Sequence, residues 1–93
     1  MSAIEIERGK QQFEERFKAQ IKKNHGLDIT VEWDAWHSNN PHVAIHVNGK
    51  RRSLNTTYAD FADFGGGGPE SFRVTFLNEK ENELLQKLQQ SSP

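Results

Sequence analysis

Residues 42–54 read HVAIHVNGKRRSL and carry the clearest structural signal in the chain. From Val43 to Val47 every second residue is a branched apolar one, which is the period of a strand with one buried face. Asn48-Gly49 follows, and it suits a type I′ hairpin turn because both central residues must adopt positive φ. The predicted register pairs Val47 with Lys50, Ile45 with Arg52 and Val43 with Leu54. Two of these partners are charged, so we expect the returning strand at an edge of the sheet.

The sequence on either side of the hairpin predicts the remaining elements. Residues 3–24 have apolar residues at helical spacing, and residues 27–33 alternate as a strand. Thr57 and Asp60 have the spacing of a capping box at the start of a short helix, which Gly65 could end. Phe72, Val74 and Phe76 alternate as a last strand, and a second helix follows from residue 78.

The order of these elements is α-β-β-β-(short α)-β-α, which predicts the α+β class. We expect a two-layer sandwich, with an antiparallel sheet of about four strands and the N- and C-terminal helices on one face. Residues 1–93 are predicted to form a single domain. Within it, the glycine-rich segment 65–69 should be a flexible loop and residues 89–93 a frayed tail.

Composition excludes several classes of protein. The chain has 93 residues, no cysteine and a net charge of −1, so a disulfide framework and a strongly basic nucleic-acid binder are not expected. Its apolar runs are shorter than the ~18 residues of a membrane span. The first residues lack the basic start and apolar stretch of a signal peptide. We therefore expect a cytoplasmic protein that is not associated with a membrane.

Catalytic and metal-binding constellations are weak in this sequence. Asp34, His37 and His42 could converge near the first hairpin as a zinc site, or they could be solvated surface residues. Ser38 beside the same histidines has no group to orient it, and no nucleophile motif occurs. We predict no enzyme activity, no cofactor and no bound metal.

The polar face of the predicted sheet offers another arrangement. Thr30 should face His46, with Glu32 and Asp28 as its diagonal neighbours. A histidine beside carboxylates could make a pH-dependent binding surface. The alternative is an ordinary cross-strand polar pair, which contributes little at an exposed position.

Aromatic residues outside the regular alternation favour an interaction surface. Trp36, Tyr58, Phe61 and Phe64 are predicted to be apolar anchors for a protein partner or a second copy of the chain, because exposed aromatic residues often form interaction hot spots. Arg51 and Arg52 on the edge strand would add polar contacts. The alternative is that these aromatic residues close the open end of a small core.

A second hypothesis is nucleic-acid binding through two basic patches. Lys22 and Lys23 end the first helix, and Arg51 and Arg52 lie on the edge strand. The α-β-β-β-α order resembles that of the double-stranded-RNA-binding domain. The last helix, however, begins with the largely acidic sequence NEKENE at residues 78–83, which would repel phosphate, so a nucleic-acid partner is not the preferred prediction.

One family resemblance covers most of the chain. The segment from LDITVEW at residues 27–33 to DFGGGG at residues 63–68 is similar to a small family of uncharacterised proteins from Gram-negative bacteria, a domain of unknown function. The resemblance implies a compact bacterial α+β protein. It implies no catalytic or binding residue.

Overall fold

The structure, a computed structural model, describes residues 3–33 and 42–89. These residues form an α+β domain with three α-helices and one antiparallel sheet of three strands in the order β1-β2-β3. The elements are α1 (Ala3–His25), β1 (Thr30–Trp33), β2 (His42–Val47), β3 (Lys50–Asn55), α2 (Tyr58–Ala62), a π-helical turn (Asp63–Gly67) and α3 (Glu70–Gln89).

The hairpin of β2 and β3 confirms the predicted register. Val47 pairs with Lys50, Ile45 with Arg52 and Val43 with Leu54. Asn48 and Gly49 adopt φ of 54° and 77°, as a type I′ turn requires. Thr30 faces His46 across β1 and β2, which was also predicted.

The predicted fourth strand is wrong. Residues 72–76 lie inside helix α3, where Phe72 and Phe76 stack with ring centroids 5.8 Å apart. Phe76 is 4% exposed and Val74 is 45% exposed, so they do not share a buried face as they would in a strand. Residues four apart lie on one side of both a helix and a strand, so five residues were too few to distinguish the two periods.

The short helix begins as predicted and continues further than predicted. The Thr57 hydroxyl accepts a hydrogen bond from the Asp60 amide at 3.2 Å, and the Asp60 carboxylate accepts one from the Thr57 amide at 3.1 Å. The chain does not stop at Gly65, because the π-helical turn ends with the Gly68 amide bonded to the Asp63 carbonyl at 2.9 Å. The loop predicted for residues 65–69 is therefore wrong for Gly65–Gly67.

Close backbone contact explains why positions 9 and 65 are glycine. A Cβ atom added to Gly9 in α1 would lie 1.8 Å from the Phe61 carbonyl oxygen. One added to Gly65 would lie 2.2 Å from the Glu5 carbonyl oxygen. Helix α1 can therefore cross α2 and the π-helical turn at this distance only with glycine at both positions.

The core contains aromatic side chains from five elements. The Phe13 ring lies 5.0–6.4 Å from five other rings, measured between centroids: Phe17, Trp33, Phe61, Phe64 and Phe76. Ile29, Val43, Ile45, Val47 and Leu54 complete this core from the sheet and the chain leading into it. Edge-to-face ring pairs of this kind add to the free energy of burial.

Candidate functional site

The geometry of the β2–β3 hairpin determines which backbone groups of β3 point away from the sheet. In a two-residue hairpin the residues that flank the turn exchange backbone hydrogen bonds, and every second pair after them does the same. Lys50, Arg52 and Leu54 therefore direct their backbone groups toward β2. The backbone groups of the residues between them, together with those of Asn55, point away from the sheet.

Side chains of α3 form hydrogen bonds with the outward backbone groups of Ser53 and Asn55. Lys80 Nζ donates to the Asn55 carbonyl at 2.5 Å, and Lys87 Nζ donates to the Ser53 carbonyl. The Glu83 carboxylate accepts a hydrogen bond from the Asn55 amide at 2.9 Å. Partial burial raises the pKa of Glu83, but hydrogen bonds from Lys87, the Asn55 backbone and Lys80 lower it to a net value below the usual one. The edge of β3 is therefore covered at Ser53 and Asn55 against a further strand.

The outer edge of β1 is different. Since Val43, Ile45 and Val47 bond to β3, strand β2 uses Ala44 and His46 to bond to β1. Their partners Glu32 and Thr30 face β2, so Val31 and Trp33 direct their N–H and C=O groups away from the sheet. Within residues 3–33 and 42–89, these outward groups make no backbone hydrogen bond. Among the described residues, the sheet thus has one edge covered by α3 and one edge, along β1, that has no backbone partner and is called the free edge.

The side chains at the free edge are only half-buried. Val31 and Trp33 project into the core face, where their register partners Ile45 and Val43 are 0% exposed. The Trp33 indole Nε1 donates to Glu14 Oε1 at 2.9 Å, which fixes the ring against α1. The free edge therefore presents apolar surface as well as backbone groups.

A shallow groove lies beside Trp33 along the outer side of α1. Lys10 Nζ lies 5.2 Å from the centre of the Trp33 ring, within cation–π distance. Ile4, which is 70% exposed, lines the groove together with charged side chains of α1. The groove widens the accessible surface next to the β1 edge.

The polar face of the sheet holds a charged cluster. Glu32 Oε1 lies 2.5 Å from His46 Nε2 and 3.3 Å from Arg51 Nε, so one carboxylate links all three strands. Ala44, the register partner of Glu32 on the central strand, is fully buried. The predicted contact of Glu32 with His46 is confirmed, whereas Asp28 instead pairs with Lys22 at 3.2 Å. The pH-dependent binding surface stays a prediction.

The predicted aromatic anchors are corrected in two cases. Phe61 and Phe64 are both 0% exposed and pack against Phe13, so they cannot serve as exposed anchors. Their three-residue spacing follows the inward side of α2 and the π-helical turn. Tyr58 is half-buried at the start of α2. Trp36 lies outside the described residues.

Three of the four predicted basic residues have partners within the chain. Arg51 pairs with Glu32, and Arg52 Nε donates to the Lys87 carbonyl at 3.1 Å. Lys22 pairs with Asp28, while Lys23 is exposed at the end of α1. The ion pairs of Lys22 and Arg51 reduce the positive charge available to a nucleic acid, and the contact of Arg52 joins β3 to α3.

The considered zinc ligands are not brought together in the described part of the chain. Asp34 and His37 lie outside it, and of His42 only the backbone, in β2, is described. No group of three or more histidine, aspartate or glutamate residues within that part is placed to hold a metal ion. Among the helices described, none combines the length and apolar character needed to cross a membrane.

Comparisons with protein-family models, curated proteins and solved structures return no match. The interpretation of the site therefore depends on the geometry alone. The alternation of residues 27–33 predicted a strand, but it did not show that the backbone groups of Val31 and Trp33 point away from the sheet. One available signal was the order of the strands, because the first strand of a three-stranded meander lies at an edge.

Proposed function

We propose that this chain is a small non-enzymatic protein-interaction module that binds an extended polypeptide segment along the outer edge of β1. The observation that supports this proposal is the difference between the two sheet edges. Side chains of α3 cover β3, whereas the outward groups of Val31 and Trp33 have no backbone partner in the described part of the chain.

Strand addition uses both features of this edge. Main-chain hydrogen bonds to a free edge supply affinity for any extended peptide, and contacts with alternate side chains supply selectivity. At β1, the outward amides of Val31 and Trp33 would bond to the peptide, while their half-buried side chains would contact its apolar residues. Trp33 is held by Glu14, so little ordering is needed on binding.

The proposed contacts differ from the predicted aromatic anchors. Phe61 and Phe64 are buried in the core beneath the sheet, so they are not part of the proposed binding surface. Tyr58 is half-buried in α2, and its role as an anchor stays a prediction. Nucleic-acid binding is the weaker alternative, because Lys22, Arg51 and Arg52 already contact groups of the chain.

A displayed library of random peptides tests the proposal. Peptides selected on the purified protein should be extended, and their binding should shift the amide NMR signals of Val31 and Trp33 more than those of Ser53 and Asn55. Val31→Pro should abolish binding because it removes one outward N–H, and an edge strand tolerates proline where that N–H faces solvent. Val31→Ala is the matched control, since it shortens the same side chain and keeps the amide.

Two results would contradict the proposal. One is selection of peptides that bind Val31→Pro as well as the unmodified protein. The other is a set of shifted amides that lies on a different surface, such as the polar face around Glu32.

A further inference from the structure

We infer that the segment added to the β1 edge is β1 of a second copy of this chain, which forms a continuous six-stranded antiparallel sheet. This inference depends on the proposed function, because it names the partner for the same edge. Two copies of β1 related by a two-fold axis run antiparallel, as an isologous strand pair requires.

The backbone positions allow an axis at Val31. Val31 of each copy would then donate its outward N–H to the Val31 carbonyl of the other copy, which gives two hydrogen bonds. Trp33 would face Ile29 of the second copy at the next bonded position on either side. Val31 and Trp33 belong to the alternate set whose backbone groups point away from β2, and Ile29 is the residue two positions before Val31, just ahead of β1.

The apolar side chains fit this register. Ile29, Val31 and Trp33 lie on the core face, and the last two are only half-buried in the single chain. Pairing would place Val31 beside Val31 and Trp33 beside Ile29 of the second copy, which extends one apolar face into the other. The exposed remainder of Val31 and Trp33 would thus lose contact with water.

The charges also favour this axis. With the axis at Val31, Thr30 of one copy faces Glu32 of the other on the polar face. An axis one residue further along would place the two Glu32 carboxylates directly opposite each other, and such like-charge pairs destabilise a sheet. The axis at Val31 therefore keeps the two Glu32 carboxylates from facing each other.

Light scattering on a sizing column tests the inference across a dilution series from about 1 mM to about 1 μM, a range that covers weak and moderate dimers. The unmodified chain should pass from dimer to monomer on dilution. Val31→Pro should be monomeric throughout, with circular dichroism showing whether it keeps its fold.

A matched pair of variants at Thr30 keeps the test valid if Val31→Pro does not fold. Thr30 is exposed, and its side chain would face Glu32 of the second copy. Thr30→Lys should strengthen the dimer about fivefold and Thr30→Glu should weaken it about fivefold, because each dimer contains two such pairs. Weakening by both variants would overturn the register, since an axis at Thr30 would oppose like charges in either case.

The outcomes separate this inference from the proposed function. A chain that is monomeric at every concentration overturns the inference, and peptide binding at Val31 and Trp33 would still support the proposed function. A dimer that is unaffected by Val31→Pro and by both Thr30 variants also overturns the inference, because it must use another surface. Absence of both the dimer and the peptide contacts would contradict both.

Discussion

Gly9 and Gly65 allow α1 to lie directly against the π-helical turn. Neither has positive φ, so the requirement for glycine comes from space and not from backbone conformation. A glycine inside a helix such as α1 lowers helix stability relative to alanine, so local propensity does not explain Gly9. The structure shows that the Phe61 carbonyl group occupies the space that a side chain at Gly9 would need.

Gly65→Ala should lower the free energy of unfolding by about 3 kcal/mol, because the added methyl group overpacks a backbone contact. Gly67→Ala is the control from the same turn, since its added Cβ would meet only Asp63 Oδ1, at 3.8 Å. We expect Gly67→Ala to change the free energy of unfolding by less than about 1 kcal/mol. Urea denaturation measures both, and equal losses would show that the close contact is not the cause.

Helix α3 is the element for which the local pattern was misleading. Phe72, Val74 and Phe76 alternate in sequence, but the helix continues through all of them to the buried Leu77 and Leu84. The phenyl rings at positions 72 and 76 stack on the same side of the helix, and Val74 faces away. The same helix carries the side chains that bond to the outer edge of β3.

Two alanine variants distinguish the helix from the predicted strand. Phe76→Ala should cost about 3–5 kcal/mol of unfolding free energy, because it leaves a cavity in the aromatic core. Val74→Ala should cost less than about 0.5 kcal/mol, because the side chain is largely exposed. A strand would place both residues on one face, so similar losses in a denaturant titration would contradict the helix.

At the scale of the whole molecule, carboxylates of α3 connect this helix to α1 and to the end of β3. Glu81 accepts hydrogen bonds from α1, including one from Gln20 at 2.5 Å and one from His25 at 2.7 Å. Glu83 bonds to the end of β3. Partial burial raises the pKa of Glu81, and the polar side chains of α1 lower it by more, so its net pKa lies below the ordinary 4.5.

These carboxylates predict a loss of stability in acid. Because their pKa values are lower in the folded than in the unfolded chain, their contribution is complete above the ordinary carboxyl pKa and is lost as the pH falls through the folded value. Glu81→Gln should lower the free energy of unfolding by about 1 kcal/mol at pH 7. Its difference from the unmodified chain should shrink below about pH 4, where the glutamate becomes protonated.

Glu79→Gln is the control for this prediction, because Glu79 is exposed on the same helix. Urea midpoints at neutral and acid pH should separate the two variants. A Glu81→Gln defect that is the same size at every pH would show that the ionised carboxylate is not what joins α3 to α1.

Local sequence was sufficient to predict the structure where neighbouring residues control the backbone conformation. The register of the β2–β3 hairpin follows from Asn48-Gly49, and the start of α2 follows from Thr57 and Asp60. The position of Glu32 beside His46 could also be predicted, because the pairing of β1 with β2 places them diagonally on one face. Each depends on contacts a few residues apart or on a simple strand register.

The remaining features depend on contacts between residues distant in the chain. The burial of Phe61 and Phe64 requires α1 to approach at Gly9, and the helical state of residues 72–76 is stabilised by the aromatic core around Phe13. The candidate site also depends on distant contacts, because α3 covers the edge of β3, whereas β1 has no backbone partner at its outer edge among the described residues. Sequence periods describe which face of an element is apolar, but the packing of distant elements decides what each face and edge contacts.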